Sequence, residues 1–330
     1  MAHVIVHAGI HKTGSSFIQN TLFKNRETLA QHGVLYPLTG IRQKAPSRGR
    51  SHRAFRHFDA AGPAFAKLQN EITQSGARTV VLSYEALFRP GVAPETLRQG
   101  LAGHETTLLL YVRNPVDYIE SKYRQWVRHP GFAGEPTQFL EKQLPYLHLF
   151  ADLPRWQEVF DGRLVVKSFD HIAYPNLLAN EVLEAGGHKV PDLEPSRLRN
   201  PSDTNATTLL RLVIHQRRRK NIDLAEGLKR ASHYHYPGVD GRLLDDAAIA
   251  SVMEAGWAPY EAAMRMAGYA AGAPSKWAGR EFDAAFFDPR VRADAERFLL
   301  RARRHERFIA TREAFKGNAR RTVRRLLGRA

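Results

Sequence analysis

The chain has 330 residues, of which 43% are hydrophobic, so it can bury one large core together with a helical appendage. It contains no cysteine, which excludes disulfide bonds and thiol catalysis, and its formal net charge of +16 favours anionic partners. No apolar run approaches the roughly 20 residues that cross a bilayer, and no signal region precedes the first apolar stretch, so we expect a cytoplasmic protein.

The first predicted element is an apolar strand that begins at Val4 and runs through a glycine-framed turn into a helix predicted over 17–31. Glycines on both sides of the turn let backbone N–H groups converge on one point, in front of the positive end of the helix dipole. A lysine adds a mobile cation, and hydroxyls add donors. Such a turn binds phosphate or sulfate, and its candidate binding residues are His11, Lys12, Thr13, Gly14, Ser15 and Ser16.

This turn differs from the ATP-binding P-loop, in which the lysine follows the second glycine. Here Lys12 precedes Gly14. The usual Mg²⁺-binding partner is an apolar strand that ends in Asp, whereas the strand predicted over 79–83 leads into Tyr84 and Glu85. The pattern therefore disfavours a metal-dependent nucleotide triphosphatase. A turn that uses glycine and serine only for its own conformation remains an alternative at this point.

Residues 40–53 form a basic segment that is rich in glycine, proline and serine. Its length and composition predict a binding loop or lid, and its position after the first helix fits control of access to the neighbouring turn. A solvated loop without a function is the alternative. His52 lies in this segment, and the ordinary pKa of histidine suits proton transfer near neutral pH.

A second strand-to-helix turn follows the buried strand predicted over 107–112. The strand leads into Arg113-Asn114-Pro115, where Asn114 can cap a helix whose first residue is the proline. Arg113 lies at the strand tip and Ser121 lies two helical turns further, so a guanidinium and a hydroxyl are placed for a second phosphate. Two such turns in one parallel sheet predict a ligand with two separated acidic groups.

These two motifs together resemble the sulfotransferases that use 3'-phosphoadenosine 5'-phosphosulfate (PAPS), in their bacterial and glycan-modifying branch. His-Lys-Thr-Gly-Ser-Ser at 11–16 is similar to the 5'-phosphosulfate loop of that family. Arg113, with Ser121 eight residues later, is similar to its 3'-phosphate site. The resemblance covers roughly residues 3–205, and it implies PAPS as the donor and transfer of a sulfuryl group without a metal.

The resemblance also implies catalytic roles. The backbone amides of 13–16 would hold the phosphosulfate, and Lys12 would neutralise charge that grows on the leaving phosphate, since in-line transfer depends on placement and charge. Glu85 stands where family members that act on phenols and steroids have a histidine and where glycan sulfotransferases often have a glutamate. We therefore expect Glu85 to be the general base, with His52 as the alternative base. In another interpretation, Glu85 only orients Lys12 or caps the next helix.

The remaining core elements are a strand predicted over 163–167 and a helix predicted over 177–184. Phe169 follows this strand and is our candidate for packing beside the adenine of the donor, with a core position as the alternative. Ser202 lies in a polar turn that resembles one of the bacterial relatives, and it completes the candidate donor-binding residues. The histidines form no spaced ligand set with a carboxylate, so we predict no metal site.

The C-terminal residues 291–330 carry 13 Lys and Arg against 4 Asp and Glu, which is more than half of the excess positive charge. Apolar residues recur among these arginines at helical spacing. This pattern predicts amphipathic helices with a solvated basic face. Attachment of that face to an anionic membrane surface, such as the inner membrane, or to a polyanionic acceptor is the functional alternative. Helices are also predicted over 245–266 and 288–315.

We predict a three-layer α/β core with a central parallel sheet over 1–215, and a basic helical extension over 216–330 that packs on it. The predicted reaction is sulfuryl transfer from PAPS to a hydroxyl of a carbohydrate, glycoconjugate or other metabolite. A P-loop kinase, a non-catalytic polyanion-binding module and a peripheral membrane protein stay open as alternatives. The sequence has no recognisable RNA or DNA motif, so nucleic acid is not an expected partner.

Overall fold

The computed structural model describes the chain in nine ranges, which are 1–41, 50–57, 62–89, 91–129, 132–172, 177–196, 203–216, 233–302 and residue 304. Three of the predictions fall outside these residues. They concern Ser202, most of the basic loop at 42–49, and the C-terminal segment at 305–330.

The core of the fold is one sheet of parallel strands. The strands are β1 His3–Gly9, β2 Val34–Leu35, β3 Thr79–Ser83, β4 Glu105–Val112 and β5 Leu164–Ser168. Their order across the sheet is β2-β3-β1-β4-β5. The three central strands are almost continuously buried, as expected for a parallel sheet covered on both faces. The predicted α/β fold with a central parallel sheet is thus confirmed.

Helices lie between these strands along the chain and follow the last of them. They are α1 Ser15–Lys24, α2 Arg26–Gln31, α3 Pro63–Ser75, α4 Pro94–Gly100, α5 Pro115–Trp126, α6 Pro136–Gln143, α7 Leu153–Val159, α8 Leu178–Glu184, α9 Asn205–Gln216, α10 Asp246–Met266 and α11, which begins at residue 289 and is described to residue 302. Short 3₁₀ segments occur at Arg53–His57, Leu144–Asp152, Phe169–His171 and Ala284–Phe287. Within the described ranges, no helix combines the length and the apolar character that a bilayer span requires.

The helix predicted over 17–31 is in fact two helices that meet at Asn25. This residue leaves helical geometry at φ −95° and ψ 16°. Its side-chain amide donates to the backbone oxygens of Thr21 and Glu194, each at 2.8 Å. Asn competes well for backbone hydrogen bonds of this kind, so the chain changes direction here.

The strand order places a crevice at the carboxyl ends of β1 and β4. The chain leaves β1 toward β2 on one side of the sheet and leaves β4 toward β5 on the other, although β1 and β4 are neighbours. Connections that diverge between adjacent parallel strands open a cleft where ligands of such sheets bind. The register of β1 against β4 also shifts between His7 and Gly9, where the first turn begins. Both predicted anion turns therefore start at this cleft.

The chain divides into two compact units. The first contains the sheet and comprises Met1–Lys122, Leu140–Pro201 and Asp246–Ala278, and the second comprises Tyr123–Phe139, Ser202–Asp245 and Gly279–Ala330. Helix α10 thus belongs to the unit of the sheet, although the sequence analysis assigned it to an extension. In the second unit, the buried Asn205 binds Asp283 at 2.6 Å and Arg124 at 2.7 Å.

Candidate functional site

The turn between β1 and α1 has an unusual backbone. Gly9, Lys12 and Gly14 adopt positive φ angles of 116°, 68° and 77°. A positive φ is uncommon for a residue with a side chain, and such geometry is concentrated at ligand sites. Gly14 directly precedes α1, and no side chain of the described residues caps that helix end. The first N–H groups of α1 consequently point into the turn, which is the arrangement that binds anions.

Two of the predicted hydroxyl donors hold the turn together. The hydroxyl of Thr13 donates to the backbone oxygen of Ile10 at 2.6 Å, and that of Ser15 donates to the same oxygen at 3.3 Å. Both side chains are buried, whereas Ser16 is exposed. The structure therefore corrects the expectation that all three hydroxyls face a ligand. The hydroxyls of Thr13 and Ser15 shape the loop, which leaves the backbone amides as its candidate anion donors.

Hydrogen bonds of the backbone and of its side chain hold Glu85 beside this turn. The chain after β3 runs along the end of β1, where Tyr84 N donates to His7 O at 3.0 Å and Phe88 N donates to Ala8 O at 3.2 Å. The carboxylate of Glu85 accepts a hydrogen bond from Gln19 of α1 at 2.7 Å. Glu85 thus lies at the carboxyl end of β3, beside the turn, with its side chain oriented by α1.

The backbone of Gly9 lies close to the backbone of Glu85. A Cβ atom on Gly9 would lie 2.4 Å from the backbone oxygen of Glu85. We expect Gly9→Ala to lower the free energy of unfolding by about 3 kcal/mol or more, because a positive φ and a backbone clash add up. Gly103→Ala is the matched control, since Gly103 has a φ of 82° and nothing within 4 Å of the added atom. Urea unfolding measures the free energy of unfolding of both variants. Equal losses in Gly9→Ala and Gly103→Ala would contradict the close approach of Gly9 to Glu85.

The second turn is joined to the first by Arg113. Its guanidinium is buried, and Nη1 donates to the backbone oxygen of Lys12 at 2.6 Å. Its Nε has no hydrogen-bond partner among the described residues. Cζ of Arg113 lies 5.2 Å from the centroid of the Phe169 ring. A buried guanidinium with an unused donor at the cleft is well suited to bind an anionic group.

Residues that the sequence analysis missed hold this second turn in place. The carboxylate of Asp170 accepts from Asn114 N at 2.6 Å and from the Tyr260 hydroxyl at 2.8 Å. Asn114 caps α5 as predicted, accepting from Val116 N at 2.9 Å, and its amide donates to Ala273 O at 2.9 Å. Burial raises the pKa of Asp170, against the lowering effect of these hydrogen bonds and of the nearby Arg113. No local sequence pattern connects Asp170 and Tyr260, which lie 90 positions apart.

Phe169 and Leu178 lie close to Gly14 of the first turn. A Cβ atom on Gly14 would lie 2.7 Å from Leu178 Cδ1 and 3.4 Å from Phe169 Cε2. Phe169 therefore lies beside both turns, and it also packs against the core. Its candidate role beside the donor base stays a prediction. Ser121 is buried on α5, the helix that the second turn begins.

The structure argues against His52 as the alternative base. His52 is fully buried, and Nδ1 accepts from Ser83 N at 3.0 Å. Nε2 must then carry the proton, and it donates to Pro37 O at 3.0 Å. Both ring nitrogens are thus bound to backbone groups. An imidazole in this state has no nitrogen available to accept a proton from a substrate.

The burial of His52 has a consequence for stability. Burial lowers the pKa of His52 from 6.5 to about 4. Between these values the unfolded chain binds more protons than the folded chain, so stability is complete above pH 6.5 and is lost as the pH falls. We expect His52 to contribute on the order of 3 kcal/mol to the fall in the free energy of unfolding across this window, and His52→Gln to reduce the slope by that share, while the buried His7, whose pKa is lowered to about 3, keeps its own contribution. Urea unfolding at several pH values measures it, and an unchanged slope in the variant would contradict the assignment.

Charged side chains surround His11 in the first turn. Burial lowers the pKa of His11, the charge of Glu85 opposes this shift, and the charges of Lys122, Lys12 and Arg89 reinforce it. His11 therefore lies among three cations and one carboxylate. Lys122 was not among the predicted site residues. It follows Ser121 on α5, and burial lowers its pKa to about 8.

Comparison of the chain with protein-family models, with curated proteins and with solved structures found no match. The described residues contain no cluster of three or more histidine or acidic side chains that could hold a metal ion. The metal-free site stays a prediction, as does the donor.

Proposed function

We propose that this protein transfers a sulfuryl group from PAPS to a hydroxyl of a carbohydrate or glycoconjugate. The observation that carries the proposal is the hydrogen bond from Arg113 to the backbone oxygen of Lys12. It joins two anion-binding turns in one cleft, and a ligand with a 5'-phosphosulfate and a separate 3'-phosphate has the matching pair of charges. The neighbouring Phe169 provides an aromatic face for the adenine.

In this proposal the first turn binds the 5'-phosphosulfate and the second binds the 3'-phosphate. The amides at the start of α1 hold the phosphosulfate, and Arg113 and Ser121 hold the 3'-phosphate. The acceptor oxygen forms a bond to sulfur while the bond from sulfur to the phosphate oxygen breaks, which leaves 3',5'-bisphosphoadenosine. Lys12 stabilises the negative charge on the departing phosphate, and this preorganised charge supplies most of the acceleration.

The proton of the acceptor hydroxyl goes to Glu85. Its carboxylate lies at the end of β3 beside the turn, and the hydrogen bond from Gln19 fixes its orientation. A base that is held in one orientation can accept the proton without first reorganising. The buried state of His52 leaves Glu85 as the better placed of the two predicted bases.

Calorimetric titration of the full chain tests the donor. We expect 3',5'-bisphosphoadenosine to bind without added metal and more tightly than ATP, because only the former places a phosphate in the second turn. Titrations with ATP and with ATP plus Mg²⁺ are the comparisons. Tighter binding of ATP in the presence of Mg²⁺ would favour the P-loop kinase and overturn the proposal.

Within this proposal, Arg113→Ala should weaken binding of 3',5'-bisphosphoadenosine more than Ser121→Ala. A charge-assisted bond is roughly twice as strong as a neutral one, so we expect a loss of about tenfold or more for Arg113 and only severalfold for Ser121. Calorimetry measures both losses. Arg113→Lys, which keeps the charge but not the bidentate geometry, should fall between them. Negligible losses in all three variants would remove these residues from the site.

We also propose a cytoplasmic location, which rests on the sequence alone. Attachment to the inner membrane through the basic segment 291–330 stays a prediction, and its residues 305–330 lie outside the described part of the chain. The proposed partner is the hydroxyl-bearing acceptor.

A further inference from the structure

A lysine and two tyrosines form a cluster that the proposed donor site does not use. Lys122 Nζ donates to the Tyr118 hydroxyl at 2.7 Å. It also lies 4.9 Å from the centroid of the Tyr118 ring and 5.4 Å from that of Tyr146. Tyr118 is buried, whereas 43% of the surface of Tyr146 is exposed. We call these three residues the Lys-Tyr cluster.

The ammonium of Lys122 lacks a counter-ion in the described structure. Lys122 is half-buried, and no carboxylate of the described residues pairs with it. Its pKa is lowered by burial alone, with no carboxylate raising it again. An ammonium has three N–H donors, and the described residues accept one of them. A cation that is partly removed from water without an anion is costly, and a bound anion relieves that cost.

The Lys-Tyr cluster lies near the proposed reaction centre. Lys122 comes one residue after Ser121 on α5, and its charge acts on His11, as does that of Glu85. The cluster is therefore within electrostatic reach of the turn that carries Lys12 and of the proposed base. The exposed ring of Tyr146 offers a flat apolar face at the same place, which is a surface on which the face of a sugar ring can stack.

We propose that the Lys-Tyr cluster is an acceptor subsite, and that the acceptor is a ring that carries a carboxylate as well as the hydroxyl to be sulfated. Lys122 binds the carboxylate, Tyr118 holds the ammonium in position, and Tyr146 stacks on the ring. This inference rests on the proposed function, because it specifies the acceptor of the proposed reaction. A packed lysine without a ligand is the competing interpretation, and the experiment separates the two.

The experiment uses two probes that differ only in the carboxylate. Methyl β-glucuronide and methyl β-glucoside are titrated by ligand-observed NMR into the full chain with saturating 3',5'-bisphosphoadenosine. We expect the wild type to bind the glucuronide about tenfold more tightly, because a charge-assisted bond is added. Lys122→Met, which keeps an unbranched side chain but removes the ammonium, should abolish this preference. Tyr146→Ala should weaken binding of both glycosides by similar factors and keep the preference.

Calorimetry of 3',5'-bisphosphoadenosine on the same variants distinguishes failure of the acceptor subsite from failure of the proposed function. The affinity for this nucleotide should be unchanged in Lys122→Met and in Tyr146→Ala. A wild type that binds the nucleotide but does not prefer the glucuronide overturns the subsite while the proposed function stands. A loss of nucleotide affinity in Lys122→Met assigns the lysine to the donor and also overturns it. A wild type that does not bind the nucleotide overturns the proposed function itself.

Discussion

Lys12→Ala is expected to lower the rate of sulfuryl transfer by about 10²- to 10³-fold. The ammonium stabilises the negative charge that develops on the leaving phosphate. Its loss therefore raises the activation barrier of the transfer more than it weakens binding of the donor. The backbone should be preserved, because alanine and lysine are similarly restricted at the φ of 68° and the backbone oxygen that binds Arg113 is retained. Steady-state kinetics with PAPS, together with calorimetry of 3',5'-bisphosphoadenosine, measure the two effects separately.

Lys24→Ala is the matched control for the loss of a lysine. Lys24 pairs with Glu194 at the surface, so its removal should leave turnover unchanged. Full activity in Lys12→Ala would exclude the proposed mechanism, because the ammonium would then have no part in stabilising the leaving group.

Glu85→Gln is expected to lower turnover by about 10²-fold or more while the affinity for 3',5'-bisphosphoadenosine stays nearly unchanged. Glutamine has the same size and can still accept the hydrogen bond from Gln19, but it cannot take the proton of the acceptor. Steady-state kinetics and calorimetry of 3',5'-bisphosphoadenosine measure the two effects.

Two further variants control this result. Gln19→Ala removes only the group that orients Glu85, so it should have a milder effect than Glu85→Gln. His52→Gln should change stability rather than the pH dependence of the rate. If Glu85→Gln kept the wild-type rate and His52→Gln lost it, the base would have to be reassigned despite the burial of His52.

The sequence by itself determined the elements that depend on local patterns. Continuous apolar runs predicted the central strands, and glycines at 9 and 14 predicted the turn at the end of β1. Asn114 and Pro115 predicted the start of α5, because a cap and a proline at the first helical position act through neighbouring residues only. Parallel strands then bring both turns to one edge of the sheet, so the place of the candidate site also followed from the sequence.

Only the tertiary structure decided which side chains are available at that site. The hydroxyls of Thr13 and Ser15 donate hydrogen bonds to the backbone oxygen of Ile10. The ring of His52 is hydrogen-bonded to backbone groups of Pro37 and Ser83. These outcomes depend on where a residue is buried and on which backbone group needs a partner, and a local pattern reports neither. The same reason applies to the residues that the sequence analysis did not find.

Asp170 binds both the backbone N–H of Asn114 and the hydroxyl of Tyr260, and Tyr146 lies beside Lys122, across separations of many residues. Each contact exists because the packing of helices on the sheet brings distant segments together, and a single sequence contains no periodicity that encodes such a pair. Local chemistry therefore determined the strands and the two turns at the cleft. Long-range packing decided the orientation of Glu85, the burial of His52 and the position of Lys122 beside Tyr118 and Tyr146.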